Sequence, residues 1–301
     1  MARAVRVAAI DIGTNTIRLL VADVVGDALV AIERRAVVVG LGRGVDATRR
    51  ISAEAMERAV ARLEEFRVVA GPVDRIGAVA TSATRDADNA AGFIAAAEAA
   101  IGARVRVIGG EEEAALSFAG AVRGIPGPAP TLVIDPGGGS TEFVLGDEAP
   151  VAATSVDIGS VRLTERLLPE RPASAERIAA AAGAVADMFG AIDLGGEPAR
   201  AIGVAGTYTA IAAIHLGLER YDGAAVHGTV MTVADLDGIV ARLAPLTLAD
   251  TDAIPSLEEG RAPVLLGGAI VAAEAVRRSG LAEVTISEAD LLDGLARSLS
   301  R

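Results

Sequence analysis

Val133-Ile-Asp-Pro-Gly-Gly-Gly-Ser-Thr-Glu142 is the stretch on which the reading of this chain turns. An apolar strand over 131–134 runs into Asp135, and Gly137, Gly138 and Gly139 follow. Ser140, Thr141 and Glu142 then lead into a second apolar strand through Phe143-Val-Leu145. Glycines turn a chain sharply and let backbone N–H groups approach a ligand with no Cβ in the way. Successive amides in such a turn form a concave anion site. Asp135 and Glu142 add hard oxygens of the kind that hold Mg²⁺ together with a phosphate. Read alone, the stretch is also compatible with a plain β-hairpin closed by a glycine-rich turn.

A second copy argues against the plain hairpin. Asp11-Ile-Gly-Thr-Asn-Thr-Ile-Arg-Leu19 has the same layout without a gap. Asp11 matches Asp135, Gly13 matches Gly137, Thr16 matches Ser140 and Leu19 matches Phe143, each at an offset of 124 residues (135 − 11). That period is too long for a solenoid repeat and suits a duplicated domain. Two such turns facing each other would enclose a phosphate and a metal between two half-molecules.

Composition narrows the classes. The 301 residues suffice for two cores of ordinary size. The chain is 51% hydrophobic but only 2% aromatic, so those cores must be aliphatic. It has no Cys, which excludes disulfides and thiolate chemistry, and no Lys, which excludes a Walker-A lysine and Schiff bases. A net charge of −12 argues against nucleic acid or a membrane surface as partner. We see no signal peptide and no apolar run of membrane-spanning length, and expect a soluble cytoplasmic protein. An acidic chain sits awkwardly with a phosphate-rich ligand unless amides, a metal and a few arginines compensate locally.

Taken in order, 5–10, 17–24 and 28–39 read as a three-stranded meander. Gly40-Leu-Gly-Arg-Gly44 reads as a flexible connection. Ser52 caps a helix to about Val69. A buried strand at 75–79 ends in the polar cluster Ala80-Thr-Ser-Ala-Thr-Arg-Asp86, the place where α/β folds carry their sites. Asp88 is expected to cap a helix to about Ala100, and a strand at 104–108 precedes a helix opened by Glu111, Glu112 and Glu113. Gly124–Pro130 is the best linker. We therefore expect domains at 1–124 and 125–301, with a C-terminal helix within 288–301 returning to the first. The second half begins again with strand, glycine turn and strand. Later, the strand at 199–204 turns through Gly206-Thr207 into a helix whose N-terminus points amides at a ligand. Strands alternating with helices after each meander indicate two related α/β domains with mixed sheets and a cleft between them.

The motifs Asp11–Leu19, Ala80–Arg85, Gly110-Glu-Glu-Glu-Ala114, Asp135–Glu142 and Gly203-Val-Ala-Gly-Thr207, in this order and spacing, resemble the exopolyphosphatase / guanosine pentaphosphate phosphohydrolase (Ppx/GppA) family. The resemblance covers nearly the whole chain. It implies a duplicated actin-like (ribonuclease H-like) fold and removal of the terminal phosphate from inorganic polyphosphate or guanosine pentaphosphate, with Mg²⁺ or Mn²⁺. It also implies a homodimer. The chain resembles the short two-domain forms, which suggests short polyphosphate as substrate. Where the family often has an Asp and an Arg-Glu pair, this sequence has Glu288 and Leu292-Asp293.

Carried over by position, the family's catalytic glutamate falls on Glu113, the expected general base, while Glu111 and Glu112 fit better as acids of a first helical turn. Asp135 and Glu142 are the expected metal ligands, with Asp11 as a third acid through water or, equally, a brace of its own turn. Gly13, Thr14, Asn15 and Thr16, Gly137–Thr141, and Gly206 with Thr207 are expected to cradle phosphates. Arg18 and Arg85 are expected to pair with the substrate's charge. His227 is expected at the cleft, and His215 in the core.

Overall fold

The computed structural model describes residues 3–300. Strands β1 (Val5–Ile12), β2 (Thr16–Val25) and β3 (Ala28–Val38) form the first antiparallel meander. Next come α1 (Val45–Thr48), α2 (Ala53–Ala70), β4 (Arg75–Ala80), α3 (Ser82–Asp86), α4 (Ala90–Ile101), β5 (Val105–Val107) and α5 (Gly110–Gly124). β4 and β5 add in parallel, so the first sheet has the order β3-β2-β1-β4-β5. The second half repeats the opening with β6 (Thr131–Pro136), β7 (Thr141–Gly146) and β8 (Pro150–Val156). Then follow α6 (Ser160–Leu167), α7 (Ala175–Gly190), β9 (Arg200–Gly203), α8 (Ala205–His215), α9 (Gly223–Val226), β10 (Val230–Thr232), α10 (Val233–Leu243), α11 (Leu248–Asp252), α12 (Ala262–Ser279), β11 (Glu283–Ile286) and α13 (Leu291–Leu299). Its sheet order is β10-β11-β9-β6-β7-β8.

The repeat seen in the sequence is a repeat of register. β1 and β2 pair Asp11 with Arg18 and Ile12 with Ile17; β6 and β7 pair Asp135 with Glu142 and Pro136 with Thr141. Every partner is displaced by the same 124 residues (135 − 11, 142 − 18). The turn bond repeats too: Gly13 N–H donates to Thr16 O at 3.1 Å, and Gly137 N–H to Ser140 O at 2.9 Å. This is the duplicated actin-like architecture.

Both sheets are covered on both faces, which is why their central strands are apolar without alternation. Ala8, Ile10 and Ile12 of β1 pack under α2 and α4 through Leu63, Phe66 and Phe93. The other face of β1, with Val7 and Ala9, is covered by Leu291, Leu292 and Leu295 of α13. In the second sheet, Leu132 and Ile134 face the large core of α7, α8, α10 and α12. Val133, Val144 and Ile202 face Ala114, Phe118 and Ala121 of α5. Each lobe therefore lends a helix to the other's sheet, and the sheets sandwich the α5–α13 pair. That crossing is tight. A Cβ on Gly120 would overlap the Asp290 carbonyl oxygen, and one on Gly294 the Leu116 carbonyl oxygen.

Two local expectations are corrected. Residues 40–44 are not a flexible connection: Leu41 is fully buried, and Gly42 N–H donates to Thr14 O at 2.7 Å. Nor does Asp88 cap α4. Its N-cap residue is Asn89, whose amide instead bridges Ile51 N and O at 2.9 and 2.8 Å.

Candidate active site

The two turns meet. A Cβ on Gly138 would stand 2.8 Å from Thr14 Cβ, and one on Gly139 would stand 2.5 Å from Ser82 Oγ. Neither glycine adopts a positive φ, and nor do Gly13 and Gly137. Glycine is required here for close approach across the lobes rather than for an unusual turn.

The backbone of each turn is held from behind. Thr14 O accepts from Gly42 N–H, and Asn15 O accepts from Val39 and Gly40 N–H, both at 2.9 Å. Gly137 O accepts from Ser160 N–H at 3.0 Å, and Gly138 O from Val161 N–H at 2.9 Å, both at the start of α6. With the carbonyls engaged, the N–H groups of Thr14, Asn15, Gly138 and Gly139 have no acceptor among the described residues. They line a cleft of about 710 Å³. Ser82 at the start of α3, Ser160 of α6, Gly206 of α8 and Leu291 of α13 line it as well. The first turns of several helices thus border one space, where N-terminal partial positive charge favours an anion, although Asp290 and Asp293 cap that of α13. This local field answers the conflict between a −12 chain and an anionic ligand. Ala205, at the head of α8, has a φ of 67°, the left-handed strain that collects at functional sites.

Beneath the amides lies a cluster of acids. Glu113 projects from the first turn of α5 into the cleft, and its Oε2 accepts from Arg85 Nη1 at 2.8 Å. Burial pushes its pKa up to about 7; Arg85 opposes the shift and Asp135 adds to it. Asp135 is raised to about 6, again by burial, against the pull of Ser117 and Arg18. Glu142 is raised well above the usual carboxylate range by burial and by Glu113 and Asp135. Its Oε1 accepts from Ser155 Oγ at 2.7 Å. The first hairpin differs at the matching place. There Arg18 neutralises Asp11 at 2.7 Å and also pairs with Asp290, the N-cap of α13.

Several expected residues take other parts. Asp11, Asp135 and Glu142 do not form a ready cation cage; among the described residues no three Asp, Glu or His side chains are so grouped. Glu142 lies one layer below the cleft surface, only 1% exposed. Thr141 is buried, its hydroxyl donating to Ile158 O at 2.6 Å, so it braces the turn and cannot reach a phosphate. Thr207 lines the cleft, but its hydroxyl donates to Pro136 O at 3.1 Å. Arg18 and Arg85 are committed to carboxylates, and Arg85 also donates to Ile108 O. Arg85 therefore orients Glu113 instead of reaching into the cleft. His227 does not line the cleft: its Nδ1 accepts from Glu288 N–H, which leaves Nε2 to donate to Gly124 O. His215 is exposed near the end of α8. Thr16, Asn15, Ser140 and Gly206 do line the cleft. Asn15 is 6% exposed with both side-chain polar atoms unpartnered.

Sequence reasoning reached Ser82 only as part of the polar cluster at 80–86, and missed Asp290 and Arg261. Arg261 packs its guanidinium over Gly206 and pairs with Glu258. Asp290 and Asp293 form a capping box on α13, a local signal that was readable; the long-range pairing of Asp290 with Arg18 was not.

Two hairpins of one register, whose turns meet at one cleft above buried acids, define a duplicated protein of the actin-like class. The chain belongs to the Ppx/GppA phosphatase family, whose sequence model matches residues 20–300. It is 41% identical to Exopolyphosphatase 2 of Mycobacterium tuberculosis over 98% of both chains. It is 27% identical to Exopolyphosphatase 1 of Mycobacterium bovis, over 96% of this chain and 87% of that one. Among solved structures it is similar to an exopolyphosphatase-like protein, with a TM-score of 0.91 and 36% identity over 99% of both chains. It is also similar to the Aquifex aeolicus family member, with a TM-score of 0.83 and 27% identity over 98% of this chain and 97% of that one.

Proposed function

We propose that this protein is an exopolyphosphatase that hydrolyses the terminal phosphate of inorganic polyphosphate, with Glu113 as general base. The observation that carries the reading is the contact between the two glycine turns, whose unpaired amides share one cleft with Glu113. Amides from Thr14, Asn15, Gly138 and Gly139 bind and orient the terminal phosphoryl group. Preorganised N–H donors of this kind stabilise charge that develops in the transition state. Glu113, with its pKa near 7 and one oxygen fixed by Arg85, takes a proton from water in line with the phosphorus. The relatives named as exopolyphosphatases support this choice of substrate.

We assign a divalent cation to Asp135, with phosphate oxygens and water completing its shell, since the acids alone do not cage one. Asp11 Oδ1 is buried without a partner, and Asp135 lies opposite Glu142 across the hairpin with both carboxylates raised in pKa. Mg²⁺ commonly takes one or two carboxylates and completes its shell with phosphate oxygens and water, so a three-acid cage is not required. Asp135 is the residue we assign to it, with Glu142 behind and Asp11 alongside. Held there by Asp135, Mg²⁺ or Mn²⁺ would supply positive charge to offset that of the transferring phosphoryl group.

Guanosine pentaphosphate is the second reading. Tyr221, Pro255 and Leu257 line the same cleft and offer an aromatic and apolar wall suited to a nucleobase. Phosphate release from tripolyphosphate, long polyphosphate, guanosine pentaphosphate and ATP, each with and without Mg²⁺, separates these readings. Release from ATP alone would replace both with an ATPase. We further propose that the lobes divide near residue 124 with α5 and α13 exchanged between them, and that the protein is a cytoplasmic homodimer, testable by its mass in solution.

A further inference from the structure

We propose that Arg162 is a positioning residue for this hydrolysis, tying the phosphate cradle of the second lobe to the helix of the first lobe that orients the base. The inference rests on the assignment of Glu113 above. Arg162 is the third residue of α6. Its backbone N–H donates to Gly138 O at 3.2 Å, beside the stronger bond from Val161. Its side chain leaves the second lobe: Nη2 donates to Asp86 Oδ2 at 2.7 Å, and Nη1 lies 3.1 Å from Asp46 Oδ1. Asp86 is the last residue of α3 and directly follows Arg85, the donor to Glu113. One residue therefore holds the glycine turn through its peptide and the carrier of the base's partner through its guanidinium.

Two further observations favour positioning over a simple surface ion pair. The Arg162 side chain is only 12% exposed, so its pairs are weakly screened. Thr14, Ser82, Gly138, Gly139, Asp86 and Arg162 line a half-open pocket of about 10 Å³, room for at most a single water. With no slack behind the turns, displacement of Arg162 passes directly to them. Arg166, paired with Asp46 at 2.7 Å, and Glu165, accepting from Gly44 N–H at 2.9 Å, flank the same contact.

Removing the guanidinium leaves each half-site built. The α6 amides still hold Gly137 and Gly138, and Arg85 still holds Glu113. Substrate binding should therefore survive while alignment suffers, and a misplacement of about 1 Å costs on the order of 10²-fold in rate. The test measures kcat and KM for tripolyphosphate with Mg²⁺ in the full chain. For Arg162→Ala and for Asp86→Asn, kcat should fall about 10- to 100-fold with KM within about threefold. Arg162→Lys, which keeps one ion pair but cannot bridge two carboxylates, should fall between wild type and Arg162→Ala. The double variant should be no slower than the slower single one, because both changes break one tie. If Arg162→Ala does not fold, Asp86→Asn carries the test with Arg162 in place. Unchanged kcat in Asp86→Asn, or multiplicative losses in the double variant, overturns the proposal. Glu113→Gln, run in parallel, separates the two claims: full turnover there sinks the base assignment, whereas its inactivity alongside active tie variants sinks only the role of Arg162.

Discussion

Gly138→Ala tests the meeting of the two turns most directly. The new methyl would lie 2.8 Å from Thr14 Cβ, 2.9 Å from Thr14 Cγ2 and 3.3 Å from Asn15 N. Non-bonded carbons rest at about 3.5–4.0 Å, so the turns must part by about 1 Å. Thr14 cannot simply rotate away. It is β-branched, its Oγ1 accepts from Ala83 N–H at 3.2 Å, and its carbonyl is held by Gly42. Overpacking of this kind costs about 1–3 kcal/mol of stability. Parting the amides by about 1 Å should lower kcat about 10²-fold, which corresponds to about 2.7 kcal/mol in the barrier. The assay is steady-state phosphate release from tripolyphosphate with Mg²⁺, paired with a thermal melt followed by circular dichroism. Gly183→Ala is the control: it lies within α7, and its Cβ would meet nothing within 4 Å. That change should stabilise by about 0.5–1 kcal/mol and leave turnover alone. A Gly138→Ala protein with wild-type turnover and melting would refute the packing argument.

Four further outcomes follow from the same geometry. Glu113→Gln should fold and melt close to wild type while losing at least about 10²-fold in kcat, read by phosphate release. Because Glu113 is raised to about 7 and must be ionised to accept a proton, kcat should climb with pH below about 7 and level off above it; a flat profile from pH 5 to 8 would contradict this. Glu113, Asp135 and Glu142 bind protons more tightly folded than unfolded, so in metal-free buffer the melting temperature should fall as pH rises from about 4 through about 7. Mg²⁺ should restore more at pH 8 than at pH 5, and a chelator should reverse the gain. Gly294→Ala should destabilise by about 3 kcal/mol or more in urea unfolding, since its methyl meets the rigid backbone oxygen of Leu116 at the α5–α13 crossing.

The hairpins were legible because their chemistry is local. A buried strand, an acid, glycines and a returning strand lie in one short window, and the ungapped repeat of that window anticipated the shared register of Asp11 with Arg18 and Asp135 with Glu142. The helix cap at Ser52 was legible for the same reason, since an N-cap is decided within three residues. Loop 40–44 was misread because its glycines look alike whether they give freedom or permit contact. Only the closeness of Thr14 to Gly42 distinguishes the two.

By itself the sequence determined the duplication, the mixed α/β architecture, and the acid and glycine residues that line or underlie the cleft, because each is written in short-range pattern and composition. Tertiary structure alone decided which charges are free. Arg18 pairs with Asp290, 272 residues away, Arg85 is spent on Glu113, and His227 on Gly124 and Glu288. A side chain's partner depends on what the fold brings beside it, and Coulomb and hydrogen-bond energies act across space without regard to separation along the chain.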